Sequence, residues 1–217
     1  MKPETSVYKP ALRWNGLTPF YDRIMALTMR ESRFRTMLLE PLRQRQPRQV
    51  LDVGCGTGTQ ALQLRVLFPE ACIFGMDGDA RVLALARQKQ LEAHRPVLFE
   101  YGLATDLPYP SQSMDIVTCS LLLHHLSDSD KQQTIREMHR VLRPGGELAL
   151  ADWGKPANEL MRLLFLGLQL FDGFDTTQAH VQGRLPNLLY DNGFKKIFPT
   201  GQVNTLFGTL AIFHAIR

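Results

Sequence analysis

Cysteine is scarce in this chain: three occur in 217 residues, Cys55, Cys72 and Cys119, far apart and set among apolar or glycine-rich neighbours. Such usage argues against a disulfide framework and against a thiolate zinc site, and no other metal-ligand cluster is expected. A reducing, cytoplasmic setting is the expectation. Long apolar runs are missing too. The longest, "LMRLLFLGLQLF" from Leu160 to Phe171, is interrupted by Arg162, Gly167 and Gln169, and a bilayer span needs about 20 apolar residues. The opening "MKPETSVYKP" lacks the basic-then-apolar order of a secretory signal. There is no internal repeat and no low-complexity tract, so a soluble globular protein is expected.

A large net charge is also missing, 25 Lys/Arg standing against 21 Asp/Glu for a net +4, but the surplus is unevenly placed. Residues 1–48 carry 10 Lys/Arg against 4 Asp/Glu. The basic excess therefore belongs to the N-terminal part. It could meet an anionic membrane surface or a nucleic acid, and it equally describes a solvated helix face.

What the sequence does contain is alternation. After an arm with Pro3, Pro10 and Pro19, apolar residues recur at helical spacing from about Phe20 to Arg45 with a break at Pro41, a helical cap. From Gln49, short apolar strands alternate with amphipathic helices: "QVLDVG", "CIFGMD", "PVLFEYG", "MDIVTCS" and "GELALADW". Asp79 is placed to N-cap the second of these helices, and Pro144 with two glycines to stop the one before the fifth strand. Strands joined by helices imply parallel βαβ units with both sheet faces covered. The last two strands, "KKIFPTGQV" and "TLFGTLAIFHAI", have too short a link for a crossover helix and must pair as an antiparallel hairpin or lie beside each other at the sheet edge. Residues 1–48 and 49–217 are thus read as one α/β domain with an N-terminal cap. With 217 residues there is one good core to bury and little room for a second.

The chemistry starts at "VLDVGCGTGTQ". A strand, a glycine-rich turn and a helix N-terminus make a nucleotide-cofactor site, because glycine accepts positive φ and lets a ligand touch the backbone. The dinucleotide pattern would want a third glycine where Thr59 stands. Asp52, two residues before the first glycine, would repel a pyrophosphate and suits a cationic ligand.

With that acid the stretch resembles the first motif of class I S-adenosylmethionine-dependent methyltransferases. Asp77 at the end of the second strand, "GLATDLPYPSQSMDIV", and "SLLLHHL" followed by "EMHRVLRPGGELALAD" resemble the family's further motifs in order. The resemblance is strong over about residues 50–153. It implies a Rossmann-like seven-stranded sheet of order 3-2-1-4-5-7-6 with strand seven antiparallel, and S-adenosylmethionine as cofactor, S-adenosylhomocysteine as product. Cofactor contacts carried over by the resemblance are Asp52, Gly54, Cys55, Gly56, Thr57 and Gly58 at the turn, and Asp77 and Gly78 at the ribose. Leu103, Ala104 and Asp106 fall at the adenine, and Ser120 and Leu121 after the fourth strand. Where the family often has an acid for the adenine amino group, Leu103 stands here. Tyr21, with Asp22, resembles the Tyr-Asp at the start of the N-terminal helix in ubiquinone/menaquinone-type methyltransferases, where it closes over the methionine end.

For the transfer itself, His124, His125 and Asp152 are the candidate general-base residues, since they lie at strand C-termini where parallel sheets bind ligands. The Leu- and Phe-rich segment from Trp153 to about His180 suggests a small, partly apolar acceptor: a quinone precursor, a lipid or another small molecule. Methyl transfer to RNA would rest on the basic N-terminal helix alone, without a separate RNA-binding module. A non-catalytic cofactor-binding protein is the remaining alternative, supported by Leu103 and Gly78.

Overall fold

The structure, a computed structural model, describes residues 28–217. Tyr21, Asp22 and most of the N-terminal arm lie outside the described residues.

The cap appears as helix α1 (Glu31–Leu39) followed by a 3-10 turn at Glu40–Leu42 that contains Pro41. The expected helix does not run unbroken into α1 from the N-terminal side, because Arg30 adopts φ +50°, a left-handed conformation that no continuous helix contains. Then follow β1 (Gln49–Val53), α2 (Thr59–Leu67), β2 (Cys72–Asp77), α3 (Ala80–Ala93), β3 (Leu98–Tyr101) and β4 (Met114–Ser120). The remainder is α4 (Asp128–Val141), β5 (Leu142–Trp153), α5 (Glu159–Asp172), α6 (Phe174–Val181), α7 (Leu185–Asp191), β6 (Lys196–Asn204) and β7 (Thr209–Ile216). Asp79 caps α3 by accepting from the Arg81 N–H.

The strands form one sheet in the order β3-β2-β1-β4-β5-β7-β6, parallel except for β7, which runs antiparallel to both neighbours. Two details depart from the sequence reading. The helix α4 ends at Val141 and the chain enters β5 before Pro144, with Leu142 paired to Met114. The Pro-Gly-Gly segment is then absorbed as an irregularity before Glu147 pairs with Ile116. Helix α6 was not anticipated, since "DTTQAH" carries little apolar periodicity.

Strand alternation decides which way each side chain faces. Val50 joins the core built with Phe34, Leu38 and Leu64, whereas Leu51 and Val53 join the opposite core with Ile135, Met138 and Leu189. Asp52 is therefore turned toward the face covered by α1 and α2, beside its register partner Thr118 on β4. On β5 the same count puts Leu148 and Leu150 with the second core. Asp152 follows them, while Trp153 turns to the first core and packs on Phe165 at 5.4 Å between ring centroids.

Candidate functional site

The turn after β1 is held open by its own backbone. Gly54, Gly56 and Gly58 have φ of +70°, +54° and +78°. Gly58 has a second reason to lack a side chain: a Cβ there would stand 2.7 Å from Phe99 Cζ and 2.9 Å from Ala86 Cβ. Gly58→Ala is expected to destabilise the protein by about 2 kcal/mol or more, left-handed strain adding to overpacking. A thermal melt that moves by less than a degree would contradict this. At Gly56, by contrast, a Cβ would meet nothing within 4 Å, so the turn faces open space there.

The amides of this turn are already engaged. Gly54 and Cys55 N–H both donate to the Met76 carbonyl, Gly58 N–H to the Cys55 carbonyl, and Gly56 N–H to Asp77 Oδ2 at 2.9 Å. A phosphate cradle needs such groups aimed outward, so the turn is built for ligand contact without that device. Asp77, half-buried at the end of β2, also takes the Asp79 N–H on Oδ1 at 2.9 Å. These bonds fix the carboxylate at the strand end. Gly78 beside it is half-buried.

Asp52 is buried and asymmetrically bonded. Its Oδ1 accepts from Gln60 Nε2 and from Thr118 Oγ1, each at 2.7 Å, while Oδ2 has no partner among the described residues. Burial pushes its pKa up to about 6, against the pull of Thr118, Arg35 and Gln60. A buried carboxylate oxygen without a donor costs free energy unless a ligand supplies one, and a cation with N–H groups is the matching chemistry. Behind Gln60 stands Arg35 of α1, whose Nη1 donates to Gln60 Oε1 at 3.1 Å and whose other nitrogens hold Glu31 at 2.6 and 2.7 Å. From α3, Lys89 Nζ donates to Thr57 and Thr59 Oγ1 at 2.9 and 3.0 Å. None of Arg35, Gln60, Lys89 or Thr118 was picked out from the sequence. The signal available was Gln60, a polar residue at the second position of a helix whose other buried residues are apolar.

The segment after β3 closes as a tight loop, with Asp106 N–H donating to the Leu103 carbonyl at 3.0 Å. Leu103 and Asp106 are exposed and Ala104 is half-buried. After β4, Ser120 and Leu121 are half-buried, and Leu121 adopts φ +55°, costly for a residue with a Cβ. Its N–H bond to the Ala151 carbonyl holds the chain as it swings into the 3-10 turn Leu123–His125.

That turn brings the sequence-predicted histidines to β5. His124 Nδ1 lies 2.8 Å from Asp152 Oδ1; the same oxygen accepts from Trp153 N–H at 2.7 Å, and Oδ2 accepts from Leu123 N–H at 2.8 Å. Burial alone would raise the Asp152 pKa, but the His124 and His180 rings and the Trp153 N–H outweigh it and hold the group well below the usual carboxylate range. An ionised Asp152 accepts a proton from His124 Nδ1 and so fixes the orientation of the imidazole. His125 stacks on His124 at 3.9 Å, and burial, then the neighbouring His124, lowers its pKa to about 3. Of the two, His124 has the orienting carboxylate.

A third histidine, unanticipated, completes the cluster. His180 of α6 donates Nδ1–H to the Trp153 carbonyl at 2.8 Å, and among the described residues its buried Nε2 has no partner; the buried Trp153 Nε1–H has none either. Helix α6 is held in place by the buried Lys131, which donates to Asp128 and to the Thr176 carbonyl. On α5, Met161 and Phe165 are buried while Leu160, Leu163 and Leu170 are 58%, 64% and 75% exposed.

Comparison with known proteins adds to this geometry. A methyltransferase domain family model matches residues 50–146. The chain is 38% identical over 153 residues to a demethylmenaquinone methyltransferase of Deinococcus radiodurans, covering 69% of this chain and 62% of that protein. It therefore spans less than two thirds of that relative's length. An uncharacterized methyltransferase of Synechocystis is 33% identical over 169 residues, 76% of this chain and 74% of that one. Among solved structures, the magnesium protoporphyrin IX methyltransferase of Synechocystis with bound S-adenosylhomocysteine superposes with a TM-score of 0.66 at 23% identity, over 93% of this chain and 84% of that one.

Proposed function

The chain belongs to the class I S-adenosylmethionine-dependent methyltransferases, and from that premise we propose that it transfers the methyl group to a small, partly apolar acceptor with His124 as the base. The cofactor is S-adenosylmethionine, whose sulfonium supplies an electrophilic methyl carbon. Asp52 Oδ2 would meet the ammonium of its amino-acid end. Asp77 would take the ribose hydroxyls, and Leu103, Ala104 and Asp106 would border the adenine. The residues fit the group: a partnerless buried carboxylate oxygen, a second fixed carboxylate, and a turn open at Gly56.

The observation that carries the acceptor side is the His124–Asp152 pair, set beyond the C-terminal ends of β4 and β5, one strand over from the glycine turn. Asp152 holds the imidazole in the tautomer that can take a proton from an acceptor as the new bond to carbon forms. Trp153, Phe165 and the leucines of α5 surround this end with apolar surface, and the partnerless Trp153 Nε1 and His180 Nε2 offer one donor and one acceptor to a polar group on an otherwise apolar molecule. The naphthoquinol ring of the substrate named for the Deinococcus relative has that character, so it is the first acceptor to try. The nucleic-acid reading gains little support, because arginines of the basic segment are paired within the chain: Arg35 with Glu31, Arg43 with Glu40 and Arg45 with Glu147.

The test is transfer of tritiated methyl from S-adenosylmethionine into a cell extract and into reduced demethylmenaquinone. Label is expected in the solvent-extractable small-molecule fraction. Label confined to precipitated RNA or protein would overturn the proposal.

A further inference from the structure

The cofactor acid is not held by its own neighbourhood alone. From α1 a continuous series of contacts runs inward: Glu31 to Arg35 at 2.6 Å, Arg35 Nη1 to Gln60 Oε1 at 3.1 Å, and Gln60 Nε2 to Asp52 Oδ1 at 2.7 Å. Each member is buried or nearly so; the Arg35 and Glu31 side chains are 13% and 11% exposed. The direction of the series is dictated. Arginine can only donate, so the Gln60 amide oxygen must face Arg35, and its NH₂ must then face Asp52. Arg35 and the Asp52 carboxylate thus favour the same amide orientation, and without Arg35 the Gln60 oxygen loses the donor that anchors it.

We propose that Arg35, acting through Gln60, is a positioning residue for cofactor binding: it fixes Asp52 with Oδ1 occupied and Oδ2 presented to the cationic amino-acid end of S-adenosylmethionine. The α1 cap is thereby part of the cofactor site. The Arg35 charge also favours the ionised form of Asp52, the form that attracts an ammonium. Among the described residues, the titratable or charged groups around Asp52 are Arg35 and Glu31 from α1, Asp77 from β2, Cys55 in the turn and Cys119 on β4. Arg35 is the cation among them.

This rests on the assignment of Asp52 to the amino-acid end, and the experiment separates the two. S-adenosylhomocysteine and 5′-methylthioadenosine, which lacks the amino-acid end, are titrated calorimetrically into the wild-type chain and into Asp52→Asn, Arg35→Met, Arg35→Lys and Gln60→Leu. Arg35→Met and Gln60→Leu are each expected to weaken S-adenosylhomocysteine by about tenfold or more, the size of one hydrogen bond to a charged group. Methylthioadenosine binding should stay within about twofold, as it does not use this contact. The double variant should lose little more than either single one, and Arg35→Lys should recover part of the loss. In Arg35→Met the pH midpoint of S-adenosylhomocysteine affinity should move upward. Equal weakening of both ligands would mean that Arg35 serves the fold only, and no weakening of either would remove it from the site; both overturn the proposal. If Asp52→Asn itself fails to distinguish the two ligands, the assignment of Asp52 falls first. If it distinguishes them and Arg35→Met does not, the relay alone falls. Gln60→Leu and Arg35→Lys keep the question answerable should Arg35→Met fold poorly.

Discussion

Asp152→Asn should lower methyl transfer by about two to four orders of magnitude, the usual contribution of a positioned base, while leaving S-adenosylhomocysteine affinity within a few-fold of wild type. The reason lies in the hydrogen-bond inventory. Among the described residues, three groups hydrogen-bond the carboxylate, the Leu123 and Trp153 N–H groups and His124 Nδ1, and each donates. A carboxylate satisfies them all; an asparagine replaces one oxygen with an NH₂ group. If the amide oxygen stays on Leu123, the NH₂ confronts the Trp153 N–H and drives His124 to accept at Nδ1, which protonates Nε2 and removes the base. If it turns the other way, the Leu123 N–H is left facing an NH₂ and the turn Leu123–His125 loosens. Either way the imidazole is no longer held ready. Turnover against the acceptor found by labelling, together with calorimetry on S-adenosylhomocysteine, checks this. Full activity in a folded Asp152→Asn chain would dismiss His124 as the base.

The second large effect is carried by pH. With Asp52 raised from 3.8 to about 6 in the folded chain, two quantities should change in opposite senses. The folded pKa is above the unfolded one, so protonated Asp52 contributes stability that is fully present below pH 3.8 and is lost as pH rises through about 6. Two pKa units correspond to about 3 kcal/mol. Cofactor affinity moves the other way, since only the carboxylate attracts an ammonium: S-adenosylhomocysteine should bind progressively more tightly as pH rises through about 6 and then level off. Thermal melts with and without S-adenosylhomocysteine across this range measure both at once. In Asp52→Asn the ligand-free chain should lose this pH dependence, and ligand-induced stabilisation should shrink at neutral pH. A ligand-induced shift that is flat from pH 5 to 8 in the wild-type chain would show that Asp52 does not titrate against the cofactor.

Much of this was legible in the sequence because it is local. The glycine turn, Asp52 and Asp77 are defined by their position relative to strand ends, and strand ends follow from short apolar runs bounded by turn residues. The short link between the last two strands pointed to an antiparallel pair, and the structure has it so. What stayed hidden is what depends on contacts between distant segments. Thr118 reaches Asp52 across 66 residues only because β1 and β4 are neighbours in register. His180 reaches Trp153 across 27 residues through a helix whose sequence is too polar to announce itself. Arg35 looked like one arginine among several on a basic face, and only the packing of α1 on the sheet separates it from those that face solvent. The β5 boundary was missed because Pro144 and its glycines read as a stop, whereas at that sheet position they are taken up as a bulge.

The two outer strands of the sheet bear on how the molecule behaves among copies of itself. At one rim β3 has only four residues. At the other, β6 carries Lys196 at its start and Pro199 within it, where the pairing with β7 slips before resuming at Gly201. A short rim offers few open hydrogen-bonding groups, and a proline without an N–H next to a kink breaks the ladder that another strand would need. A sheet whose interior strands are as apolar as β4 and β5 thus has rims that oppose sideways pairing with the edge of another copy.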